Sequence, residues 1–233
     1  MTDRLVLWDI DGTLIRGGPV SGDVFASAVE RVIGRSAAAH GVTMGGKTDP
    51  QIAHEILVAL GVEETEAAGH VSTVIGHLEA DLAAAESALR AAGHVLPGVV
   101  DVLSALADDP RVVQSVLTGN TAANAAVKLA AFDLARYVDI DVGAFGSDDA
   151  DRRVLVPIAL ERARSLRSFT GSASDVWIVG DTPRDHECAV AGGARCLLVA
   201  TGRVGRDELA ACGPDAVVDD LSDIDAVLAI LRP

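Results

Sequence analysis

Leu5-Val6-Leu7-Trp8 is an unbroken apolar run that stops at Asp9-Ile10-Asp11-Gly12-Thr13. A run of that length without polar alternation suits a strand of a parallel sheet, buried on both faces and therefore covered on both sides. Two carboxylates at the C-terminal end of such a strand repel each other and call for a cation between them, which a divalent metal would supply. Gly12 permits a sharp turn there, whose N–H groups can face an anion.

Further apolar runs of strand length fall at 112–117, 138–142, 176–179 and 196–199, with a candidate edge strand at 216–218, and helical stretches separate them. This alternation predicts an α/β fold, a Rossmann-like doubly wound parallel sheet that binds ligands at the carboxyl ends of its strands. Between the first strand and Leu96-Pro97-Gly98 the pattern is helical for about eighty residues without a good strand. An inserted helical domain is expected over 17–96, with the α/β core formed by 1–16 and 97–233. Within the insertion, helices are expected at 21–33, 49–60 and 63–92, the last broken near Gly69 or Gly76, with Gly34, Gly61 and Gly93 near the helix ends. The loop Gly41-Val42-Thr43-Met44-Gly45-Gly46-Lys47-Thr48-Asp49 is glycine-rich, leads into a helix with Asp49 as a capping residue, and can reach across to the sheet.

At 233 residues the chain can bury a full core. Its net charge of -15 argues against general affinity for nucleic acid or anionic lipid, so an anionic ligand needs a local positive trap. Lysine is scarce: Lys47 and Lys128 stand against 17 arginines (19 minus 2). Three cysteines without a CxxC pair fit a reducing compartment. With no signal-like N-terminus and no long apolar segment, a soluble cytoplasmic protein is expected, either monomer or homodimer.

Polar groups gather at the expected strand ends. Asp9 and Asp11 follow the first strand. Thr118-Gly119-Asn120 follows the second, with N–H groups suited to phosphate where a helix begins. Gly180-Asp181-Thr182-Pro183-Arg184-Asp185 follows the fourth. The Asp9, Asp11, Asp181 and Asp185 carboxylates form an oxygen-only set that suits Mg²⁺ far better than zinc.

The ordered motifs DxDGT at Asp9 to Thr13, Thr118, and GDxxxD at Gly180 to Asp185, with a helical insertion after the first, resemble haloacid dehalogenase-superfamily hydrolases of the phosphoglycolate phosphatase-like branch. The resemblance covers nearly the whole chain and implies a C1 cap domain over the active site. It implies a Mg²⁺-dependent phosphoric monoester hydrolase acting on a small phosphorylated metabolite, phosphoglycolate-like or a sugar phosphate, through an aspartyl-phosphate. Asp9 is then the nucleophile and Asp11 the acid/base. Mg²⁺ is held by Asp9, the Asp11 backbone carbonyl, Asp181 and Asp185; Thr118, Gly119 and Asn120 meet phosphate or substrate.

That family also uses a lysine in a KPxP stretch, where this chain reads Asp151-Arg152-Arg153-Val154. Position favours Arg152 as the replacement, or Arg153 by a one-residue shift, since a guanidinium can hold phosphate bidentately. Lys128 is the rival, but ten residues beyond Thr118 in one continuous helix put it about 15 Å away. Lys47, in the cap loop, is a further candidate for substrate contact and would be the Schiff-base residue if the chain were a phosphonatase. A phosphomutase, or a low-turnover regulatory phosphate-binding protein, shares the same core residues.

Overall fold

Residue order along the chain converts directly into layers in the computed structural model, which describes residues 3–233. β1 (Arg4–Trp8) leads through the short β2 (Ile15–Arg16) into four helices, α1 (Val20–Ile33), α2 (Asp49–Ala59), α3 (Glu64–Ala84) and α4 (Glu86–Ala92). β3 (His94–Val95) pairs antiparallel with β2, so the helical segment leaves and re-enters at one place. Then follow α5 (Val99–Ala107), β4 (Val112–Thr118), α6 (Ala122–Ala131), β5 (Ala144–Phe145), α7 (Leu155–Arg167) and β6 (Val176–Gly180). The chain closes with α8 (Pro183–Gly192), β7 (Arg195–Val199), α9 (Arg206–Ala211), β8 (Ala216–Val218) and α10 (Ile224–Leu231).

Six strands form a parallel sheet in the order β5-β4-β1-β6-β7-β8, a doubly wound α/β fold. β1 lies between β4 and β6, which explains its lack of polar alternation: Val6 and Trp8 pack into the core on one face, Leu5 and Leu7 into the core on the other. Because all strands point the same way, the ends of β1, β4 and β6 present their following loops at one edge. The α1–α3 helices enclose a separate apolar cluster around Phe25, Val29, Ile52, Ile56, Val74 and Leu78. Among the described residues no helix is long and apolar enough to cross a membrane.

Two sequence expectations need correction. Residues 138–142 are not a strand: Ile140–Val142 is a 3₁₀ turn, and the strand is the pair Ala144–Phe145, matched to Leu117 and Thr118. Asp139 still meets the edge: its N–H donates to Gln114 O, and the Ser115 hydroxyl donates to its carbonyl. The alternating Asp139 and Asp141 belong to a turn whose apolar member, Val142, is drawn into the core. The long helix of the insertion runs through Gly69 and Gly76 and breaks at Ala85 instead. That break lets Leu82 and Leu89 join one cluster with Ala131 of α6.

Candidate active site

β1 delivers Asp9 to the sheet edge, its N–H bonded to the Val179 carbonyl of β6, and the carboxylate is buried. Gly12 then turns the chain with a φ of 89°, and a Cβ there would collide with the Asp181 carboxylate. Glycine at this position is therefore required twice over, by backbone conformation and by close approach. Asp181 follows β6, and Asp185 sits in the first turn of α8. Carboxylate oxygens of Asp9, Asp181 and Asp185 lie within 4.8 Å of one another, all three residues buried.

Electrostatics make this cluster unusual. Burial, followed by the charges of Asp9 and Asp185, pushes Asp181 up to about 8. Asp9 is pushed up to about 6, again first by burial, with Arg152 opposing and Asp185 and Asp11 adding to the rise. Arg152 is the buried cation of the cluster: one guanidinium nitrogen lies 3.2 Å from Asp9 Oδ1 and also pairs with Asp185. Burial works against its charge, but Asp185 and Asp9 outweigh that and strengthen its hold on the proton. Asp185 is fully engaged, since its other oxygen accepts the Thr182 N–H at 3.0 Å and hydroxyl at 2.8 Å. Asp181 accepts only a long 3.3 Å bond, from the Thr13 hydroxyl. One guanidinium among three carboxylates leaves Asp181 without a positive partner, and an oxygen-only set of this kind fits a hard divalent cation.

A second group forms around Asp11. Asp11 is exposed, and its Oδ2 accepts bonds from Lys128 Nζ at 2.6 Å and Asn120 Nδ2 at 2.8 Å. The same Lys128 ammonium donates to Asn120 Oδ1 at 2.7 Å, and Asn120 Nδ2 also donates to Thr118 Oγ1 at 2.8 Å. Thr118 and Asn120 are both buried.

Both rival cations thus reach the site, Arg152 at Asp9 and Asp185 and Lys128 at Asp11. The expectation that Lys128 lies too far fails because α6 starts only at Ala122, after three irregular residues, with Thr121 as its N-cap. Lys128 is therefore roughly 9 Å along the helix instead of 15 Å, and helical side chains lean towards the N-terminus, which brings its ammonium back to Asp11. Arg153 is exposed, pairs with Asp151 and is not brought to the cluster.

The loop before α2 crosses this edge. Gly119 packs under it so closely that a Cβ would run into the Lys47 carbonyl oxygen. Lys47 itself turns its ammonium to Glu55, which Gln51 also contacts at 2.9 Å. Thr48, not Asp49, caps α2, accepting from Gln51 N at 3.3 Å, and its hydroxyl donates to the Ala150 carbonyl at 2.8 Å. Asp49, expected as the cap, is instead buried against the core; a Thr-Asp helix start offers two capping residues where one suffices. Thr13, for which the motif alone implies no role, supplies the hydroxyl that meets Asp181.

A family model described as HAD-hydrolase-like matches residues 153–224, the segment that carries Asp181 and Asp185. No curated protein sequence matches the chain. The whole fold is similar to a predicted phosphatase from Clostridium acetobutylicum, at 16% identity and a TM-score of 0.70, covering 99% of this chain and 100% of that one. It is similar to a predicted phosphoglycolate phosphatase from Haemophilus somnus at 17% identity and a TM-score of 0.70, with 97% of each chain covered. A HAD hydrolase of family IA, variant 3, from Entamoeba histolytica gives 16% identity and a TM-score of 0.68, with 99% and 100% covered. The likeness carried by the motifs thus extends to the fold of the entire chain.

Proposed function

We propose that this protein is a phosphomonoesterase that hydrolyses a small phosphorylated metabolite through an aspartyl-phosphate, with Mg²⁺ as cofactor and residues 17–96 acting as a cap. The observation that carries this reading is the grouping of Asp9, Asp181, Asp185 and Arg152 at one strand edge, beside an independent Asp11–Lys128–Asn120 group.

Each residue has work suited to its surroundings. Asp9 attacks phosphorus in line; the bond to the leaving oxygen breaks, and Asp11 gives that oxygen a proton. Water then attacks the phosphorus of the aspartyl-phosphate, Asp11 takes its proton, and inorganic phosphate leaves with Asp9 restored. Arg152 orients Asp9 and neutralises charge beside it, while Thr118, Gly119 and Asn120 receive phosphoryl oxygens. Lys128 and Asn120 fix the exposed Asp11 carboxyl for both proton transfers. Asp9, Asp181 and, in competition with Arg152 and Thr182, Asp185 would hold the metal together with the Asp11 carbonyl. A bound Mg²⁺ supplies positive charge between the carboxylates and the phosphoryl group.

The reading is tested by a panel of small phosphate esters with Mg²⁺, including phosphoglycolate and sugar phosphates. Release of phosphate is expected for at least one; no release from any member refutes it.

Metal and protons should compete for the same cluster. A carboxyl whose folded pKa is raised stabilises the fold below its unfolded pKa, and that contribution is lost as pH rises through the folded value. For Asp9 and Asp181 the loss spans the interval from the ordinary carboxylate range up to about 6 and about 8. Metal-free Tm should therefore decline across that window through these two groups, and the Tm increment from Mg²⁺ should be small near about pH 5 and largest near about pH 8. Thermal unfolding with EDTA and with Mg²⁺ at each pH checks this; an increment independent of pH contradicts it.

A further inference from the structure

Asp49 belongs to the helical insertion, yet its polar groups are spent on the core. Its N–H donates to the Gly119 carbonyl at 2.7 Å. Its Oδ2 accepts the Thr121 N–H at 2.9 Å and Asn124 Nδ2 at 2.8 Å. One buried residue thus brackets 119–124 from both sides, and this is the turn that carries Asn120. Burial raises the Asp49 carboxyl's affinity for a proton, and the chief opposing influence is the charge of Lys128. Since Thr48 already caps α2, the Asp49 carboxylate has no task on its own helix.

We propose that Asp49 is a positioning residue for the reacting groups, clamping the 119–124 turn so that Asn120 and Lys128 meet Asp11 only while the insertion lies against the core. The kinetic part of this inference rests on the phosphatase reading; the clamp itself does not. A second contact supports it, because Val127 and Ala131 of α6 and Phe132 at its C-cap pack against Leu82 and Leu89 of the insertion. α6 is therefore gripped at both ends by the segment that covers the site, with Lys128 between the grips. Both donors to Asp11 Oδ2 sit on this gripped stretch, so the acid/base is ordered by closure.

The test uses the full chain with p-nitrophenyl phosphate and Mg²⁺. Asp49→Asn keeps the size and one acceptor but loses the charge; kcat should fall roughly 10- to 100-fold with KM held within about 3-fold, the scale of a misplaced reacting group. Asn124→Ala removes one bond of the clamp and should lower kcat in the same direction by less. In the double variant Asp49→Asn/Lys128→Met the loss should be smaller than the product of the two single losses, because both act through Asp11. Full kcat in Asp49→Asn, or multiplying effects in the double variant, overturns the proposal. Amide hydrogen exchange gives a readout free of turnover: peptides covering 119–124 should exchange faster in Asp49→Asn while β6 and β7 are unchanged. Unaltered exchange at 119–124 also overturns it. If the wild type hydrolyses no phosphate ester, the phosphatase reading fails while exchange still decides the clamp.

Discussion

Asp9→Asn is expected to lower phosphomonoester hydrolysis by at least roughly 10⁴-fold, the scale seen when a covalent nucleophile is removed. Asparagine is isosteric and keeps an oxygen towards Arg152, so the loss is chemical and not a matter of shape. The accompanying stability change separates this from unfolding. Burial and like charges hold the Asp9 carboxyl at about 6. Its ionised form is therefore unfavourable in the metal-free fold, and a neutral amide removes that penalty above this pH. The metal-free variant should have a Tm no lower than wild type near about pH 8, with a smaller rise on adding Mg²⁺. Steady-state rates and thermal scans on the same preparation check both halves; an inactive variant that has also lost its fold does not count as agreement.

Replacing Arg152 by Met should produce a large loss of stability. Arg152 is buried, lies 3.2 Å from Asp9 and pairs with Asp185, so its removal leaves two buried carboxylates without their cation. Breaking a buried pair by removing one partner costs about 3–5 kcal/mol. The carboxyls can escape part of this by taking up protons. Asp9 already has a raised pKa with Arg152 present and rises further without it, so the destabilisation should be greatest near about pH 8 and shrink as pH falls towards about 5. Arg152→Lys should recover part of the loss, since it restores charge without the two-pronged geometry that serves Asp9 and Asp185 together. Denaturant titration at several pH values measures this. A pH-independent cost of less than about 1 kcal/mol would show that the Arg152 pairs are not coupled to the carboxylate cluster.

The sequence carried the centre of the fold because a fully buried strand leaves no ambiguity: 5–8, 176–179 and 196–199 are apolar without interruption and lie in β1, β6 and β7. It failed at the sheet edge, where β5 is two residues long and the more strand-like stretch before it turns away. Local pattern cannot register that the ladder beside β4 is filled only opposite Leu117 and Thr118. The Ala85 break was equally hidden, since an alanine carries no stop signal and the reason for the bend, shared packing of Leu82 and Leu89, is tertiary. At the candidate site the motif residues of β1, β4 and β6 were legible because strand ends converge by topology. Lys128 was not, because its reach depends on where α6 starts, and Thr118, Asn120 and Thr121 are all capping residue types, so the sequence alone does not say that the helix waits until Ala122. Asp49 was invisible for a related reason: its partners are 72 and 75 positions away in the chain.

The account centres on Asp9 as the group that takes the phosphoryl. Rapid mixing of the Mg²⁺-loaded protein with a turned-over phosphate ester, acid quench within the first turnover, and mass spectrometry of the peptide bearing Asp9 tests that claim directly. The account predicts a phosphate adduct on Asp9, absent in Asp9→Asn and, with p-nitrophenyl phosphate, whose leaving group departs without a proton, more abundant in Asp11→Asn, whose water-activating step is slowed. Turnover with no adduct on Asp9 in either wild type or Asp11→Asn would contradict it.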